Sequence, residues 1–221
     1  MSLLGSSTHQ VGSSVRNWIS ATHQWQGRWE DAARIAAESM RVAEQCKSRQ
    51  LLAMSRALWG HAHWMIGGHA EGLQAVLEAT LWIEERKGAL VTSLNYGYLV
   101  NGAVATGRGD DARRHAARLW LRARHEDRLG EAMGCRALAL AAARGSDFRR
   151  AEHYLAQADR SARLRESRHE EAANQLCRAE VEALRGWSAE ARRWLDQAEA
   201  GFEAMAMRWH IKQAQRLRAR L

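Results

Sequence analysis

A chain of 221 residues with a formal charge of +8 and no proline departs from average usage, in which roughly one residue in twenty is proline. Arginine outnumbers lysine 30 to 3, and tryptophan supplies 10 residues against 3 Tyr and 2 Phe, while alanine is abundant and beta-branched residues are sparse. These proportions favour helix and exclude collagen-like, disordered and disulfide-scaffold chains; the lack of proline also argues against loop-rich and strand-rich folds.

Residues 1–13 lack the basic start and apolar core of a signal peptide and are expected to form a disordered tail. No apolar run reaches the roughly 18 residues of a membrane span, so a cytoplasmic location without membrane contact is the expectation. A single domain is predicted over 14–221. It opens with a helix at 14–26, a break at 27–32, and an amphipathic helix carrying Ala32, Ile35, Ala36 and Met40 on one face. The same succession then recurs. Small-residue-rich apolar segments at 51–66, 90–106, 129–144 and 171–185 precede breaks at 68–73, 107–112, 146–151 and 186–191. The residues ending the breaks, Ala32, Leu73, Ala112, Ala151 and Ala191, are spaced by 41, 39, 39 and 40 positions. Ala151, Tyr154, Leu155 and Ala158 repeat the helix face, as do Ala191, Trp194, Leu195 and Ala198. Glycine at most breaks suits the left-handed residue that ends a helix, and acidic residues suit the next helix start. Corners such as Arg86-Lys87-Gly88 and Arg128-Leu129-Gly130 would join one pair to the next. A last helix at 208–221, polar on one side, reads as a cap.

The Gly-x-Trp-x-x-Ala stretch at Gly27, Trp29 and Ala32, with its degenerate copies, resembles the inter-helix turn of tetratricopeptide repeats. The resemblance covers about 14–206 by periodicity. It departs from that family in a period near 40 rather than about 34, and in lacking the proline that commonly closes each repeat. The longer period is similar to tetratricopeptide-like sensor arrays of bacterial multi-domain regulators, and the stretch from Gly201 to Trp209 is similar to how such arrays end. The resemblance implies an all-α, right-handed α-α superhelix of about five helix pairs plus a C-terminal capping helix. The chain would then be one piece of a longer regulator.

Signs of catalysis are sparse. Gly107-Arg108-Gly109 lacks the third glycine and the lysine of a phosphate loop, and neither a nucleophile elbow nor a His-Glu-x-x-His helix occurs. His61 and His63 fall on different helix faces, and His115 and His125 lie too far apart for one ion. Glu166, His169 and Glu170 share a face, but in a stretch expected to face water. Cys46, Cys135 and Cys177 read as small buried residues. No enzyme activity, cofactor or metal is expected.

In arrays of this kind the first helix of each pair lines the concave face. The resemblance therefore points inward Ser55, Trp59, Ala62, Leu94, Tyr98, Asn101, Arg136, Leu140 and Glu180. Of these, Trp59, Tyr98, Asn101 and Arg136 are the expected partner-binding residues, with Asn101 notable as an amide in an apolar helix. The expected function is a non-catalytic scaffold that binds a protein or peptide partner or senses a ligand. Trp18, Trp25, Trp29, Trp59, Trp64 and Trp82 cluster early in the chain and suggest homo-oligomer contact through the N-terminal repeats. The alternative is a nucleic-acid-binding helical repeat. Residues 108–168 hold a net charge of +6, but Arg113, Arg114, Arg118, Arg122 and Arg124 alternate with Asp110, Asp111, Glu126 and Asp127, as on a solvated face.

Overall fold

Alanine at the helix contacts lets backbones approach closely, and the five residues that end the predicted breaks are all buried: Ala32, Leu73, Ala112, Ala151 and Ala191 are at most 5% exposed. A computed structural model describes residues 3–87 and 91–221, with side chains in the first helix from residue 10 onward. Among the described residues there are eleven α-helices and no strand. In order they are α1 (Leu3–Trp25), α2 (Trp29–Gln45), α3 (Arg49–Gly67), α4 (Ala70–Glu85), α5 (Thr92–Ala105) and α6 (Gly109–Arg124). There follow α7 (Glu131–Arg144), α8 (Phe148–Leu164), α9 (Arg168–Arg185), α10 (Ser188–Ala204) and α11 (Arg208–Arg218). They correspond to the five predicted pairs and the terminal helix. α11 buries only Ala214 and Leu217, as a capping helix should. No helix among the described residues is long and apolar enough to cross a membrane.

Two boundaries differ from the predicted ones. α1 starts at Leu3, so the stretch 3–13 assigned to a tail is helical, and Ser13 within it is fully buried; residues 1–2 lie outside the described residues. The single domain predicted for 14–221 divides into two compact units, Met1–Asn95 and Tyr96–Leu221, with the boundary inside α5.

The corners explain the missing proline. Each pair turns on one residue with positive φ: Gly27, Gly68, Gly107, Ser146 and Gly186. The junctions between pairs carry Lys47, Lys87, Glu126, Glu166 and Ala206 in the same region, with Val91 also at positive φ just before α5. At eight of these corners the backbone closes with two bonds. At the first, Gly27 N–H donates to the Gln24 carbonyl at 3.0 Å, and Arg28 N–H donates to the His23 carbonyl at 2.8 Å. Lys47 and Ser48 do the same, as do Gly107 and Arg108, Ser146 and Asp147, and Ala206 and Met207. Proline can neither take a positive φ nor donate an N–H, so neither closing position accepts it. Gly88 of the predicted corner lies outside the described residues.

Within the first unit, α1, α2 and α3 meet through small polar side chains. The Ser13 and Ser39 hydroxyls lie 2.9 Å apart, Ser55 Oγ donates to Asn17 Oδ1 at 2.8 Å, and Ser20 Oγ donates to the Ala32 carbonyl at 2.9 Å. α3 and α4 cross at Gly60 and Gly72, where a methyl group on either would meet the other's carbonyl oxygen. In the second unit, Leu176, Leu195, Phe202 and Met207 join alanines of α9, α10 and α11 in one apolar cluster. Its first helices pack on one another, α7 on α9 and α9 on α11, whereas the second helices α6 and α8 stand further apart and meet through the Trp120 and Tyr154 rings.

The α3–α4 crossing is directly testable. Gly60→Ala is expected to lower the stability of the protein by about 2 kcal/mol or more, because a backbone carbonyl cannot yield as a side chain can. Urea unfolding followed by tryptophan fluorescence measures this; a loss below about 0.5 kcal/mol would mean the crossing tolerates a side chain.

Candidate functional site

Of the nine positions predicted to point inward from the first helices, Ser55, Ala62, Leu94 and Tyr98 are buried, at 2% exposure or less. Trp59, Asn101, Arg136, Leu140 and Glu180 are half-buried and keep some surface. Tyr98, predicted to touch a partner, is therefore core: its ring is enclosed, and burial with the nearby Glu170 charge pushes its phenol pKa well up. Trp59 belongs to the first unit, and Tyr98, Asn101 and Arg136 to the second.

Arg136 is the centre of a polar network. Its guanidinium donates to Glu170 and, at 2.8 Å, to Asn174 Oδ1. Asn174 Nδ2 donates to Asp159 Oδ1 at 3.0 Å, and Arg178 joins Asp159 to Glu152, each at 2.9 Å. Arg185 then reaches Glu152 at 3.1 Å and lies 5.0 Å over the Phe148 ring. The chain of contacts ties α7, α8 and α9 together. Glu170 is 1% exposed. Burial alone would raise its pKa, but Arg136 and His169 hold it well below the usual carboxylate range. The predicted solvent-facing trio Glu166, His169 and Glu170 is thus corrected: Glu166 occupies a corner with φ of 50°, and Glu170 turns inward. Glu180 also feels its surroundings, its carboxyl raised by burial despite Arg144 and Arg220.

The network was not legible in the sequence because a carboxylate in an arginine-rich helix reads as solvated. A weak signal did exist. Arg136 and Glu170 are 34 positions apart and Arg136 and Asn174 are 38, close to one repeat. The first unit shows the same spacing: Gln24 meets the Leu58 carbonyl 34 positions on and His61 Nδ1, at 2.6 Å, 37 positions on.

Around Trp59 three rings are stacked, Trp59 on His63 with centroids 4.7 Å apart and His63 on His69 at 4.5 Å. His63 Nε2 lies 3.4 Å from Glu71 Oε1, and the ligand atoms of His63, His69 and Glu71 fall within 4.8 Å of one another. Two imidazoles and a carboxylate can hold a zinc-type ion if they close by about an ångström. The trio straddles the Gly67-Gly68 break, so no single helix displays it in the sequence.

The cysteines are free, with Cys135 and Cys177 buried and Cys46 half-buried. Burial pushes the Cys135 thiol up to about 12 and raises Cys177 too, so neither is poised as a nucleophile. On the outer face of α6, Arg113 and Arg114 close onto Asp110 and Asp111. α1 is oriented inside out. Ser13, Asn17, Ser20 and Gln24 are buried, while Val11, Val15, Trp18 and Ile19 are between 41% and 62% exposed. No protein-family model matches the chain, and no curated protein is significantly similar to it.

His61, 2% exposed and edge-on to Trp29 at 5.8 Å, has its pKa lowered by burial to about 3. The unfolded chain takes up a proton on this group below about pH 6.5 and the folded one does not, so its contribution is complete above pH 6.5 and fades as pH falls toward 3. About 2 kcal/mol of stability is expected to be lost through it between pH 7 and pH 5. Urea midpoints at the two pH values, for the protein and for His61→Asn, measure this. An unchanged difference in the variant would remove His61 as the source.

Proposed function

We propose that the protein is a non-catalytic, tetratricopeptide-like scaffold that holds a protein or peptide segment along the face made by its first helices. What carries this reading is the layer of first helices in the second unit, α7 on α9 on α11, clipped by the Arg136 network. Such a layer offers an extended surface of fixed side chains and few groups suited to chemistry. In the second unit contact would run through Asn101 and the remaining donors of Arg136, with Tyr98 behind them as support, and in the first unit, as a separate contact, through Trp59. A right-handed stack and a place in a bacterial cytoplasmic regulator belong to the same proposal, on the strength of the repeat spacing. The outward apolar face of α1 supports association with a second copy through the N-terminal repeats. A nucleic-acid role has less support, because Arg113 and Arg114 are neutralised by their own helix.

Peptides selected for binding to the purified protein should lose about tenfold or more in affinity on Trp59→Ala or Asn101→Ala. Their binding should change little between low and moderate salt, in contrast to phosphate-backbone contacts. Peptides indifferent to both variants would place the partner elsewhere, and a tight, steeply salt-dependent complex with DNA or RNA would favour the alternative. Sedimentation that finds a strict monomer at tens of micromolar would remove the self-association.

A further inference from the structure

In the second unit the separated second helices leave a cleft with no part in the reading above. It extends from α6 across the α6–α7 corner to α8 and has a volume of about 600 Å³, within the range of small-molecule sites. Four arginines line it: Arg124, Arg128, Arg150 and Arg160. The carboxylate among the lining residues, Glu131, is already held by Arg128 at 2.9 Å. Arg150 turns to the Tyr154 hydroxyl at 3.2 Å. Arg124 and Arg160 make no ion pair among the described residues, unlike Arg113 and Arg114 on the same stretch of chain. Unpaired guanidiniums gathered around a cleft repel each other and favour an anion between them.

A second observation is independent of charge. Ser161 also lines the cleft; it is 1% exposed, and its hydroxyl has no hydrogen-bond partner. A buried hydroxyl normally finds one, and a ligand oxygen would supply it. The walls are already set in place. The Arg165 guanidinium donates to the Arg128 and Leu129 carbonyls at 3.4 and 3.3 Å, pinning the corner that carries Arg128. Trp120 and Tyr154, nearly parallel with centroids 6.3 Å apart, form an aromatic wall.

We infer that this cleft binds a small phosphate-bearing molecule, its phosphoryl oxygens held by Arg124, Arg160 and the Ser161 hydroxyl. Two guanidinium forks and a hydroxyl offer more donors than the two oxygens of one carboxylate can use, whereas a phosphoryl group presents three terminal oxygens. The site does not depend on partner binding at the first-helix face.

Titration calorimetry with pyrophosphate and with adenosine monophosphate tests it, supported by tryptophan fluorescence. Saturable one-to-one binding is expected. It should weaken about tenfold or more on Arg124→Gln or Arg160→Gln, and severalfold on Ser161→Ala. Arg193→Gln, on α10 and 73% exposed, should leave it unchanged, with circular dichroism confirming that every variant is folded. No saturable binding of either probe up to about 10 mM would overturn the proposal. So would equal losses on Arg193→Gln, which would mean diffuse attraction to a basic surface. Benzoate binding as tightly as pyrophosphate would overturn the choice of phosphate. A short RNA displacing both probes with a steep salt slope would overturn the choice of a small molecule.

Discussion

The left-handed corner residue and the two backbone bonds that follow it govern most of what is seen in this protein. A helix ends where one residue takes a positive φ, and the N–H groups of that residue and the next are bound back into the last turn. Every orphan carbonyl satisfied in this way is one that neither water nor a neighbouring helix must satisfy. The chain can therefore turn with very short connections at the eight corners that close in this way. Corners within pairs use glycine in four of five cases, while corners between pairs use Lys, Glu or Ala and accept the steric cost.

This is why so much of the architecture was legible in advance. The period of 39 to 41 residues is the length of two helices and two such corners, and glycines mark four of the five corners within pairs. Alanines at the anchor positions proved buried because that is where the helices cross. The hidden features share a physical cause. Glu170, Arg136 and Asn174 are polar residues whose partners lie one repeat away, so no local window shows that they are satisfied. α1 hides its arrangement for the reverse reason. Its polar face packs inward against Ser39, Ser55 and His61, and its apolar face turns outward, so hydrophobic periodicity alone assigns the wrong side. Tyr98 looked like a contact residue by its position and is core by its burial.

The two sides of the second unit divide their tasks. First helices are clipped together by Arg136 and its carboxylate and amide partners, which fixes their spacing. Second helices lack such clips, and the space between α6 and α8 becomes a cleft lined by arginines. A charged group thus does opposite work on the two sides: paired and nearly dry on one, unpaired and open to a ligand on the other.

The corners have a consequence for how such a chain is able to change over time. At eight corners closure comes from main-chain groups of the helix that the corner ends. A pair of helices can then be copied, lost or lengthened by a residue without a new junction having to be devised, and the steps of 39, 40 and 41 are the variation that such independence permits. Side chains at the between-pair corners are left equally unconstrained by closure. Lineages are free to redecorate them, so the outline of the molecule and the chemistry of its surface can drift apart.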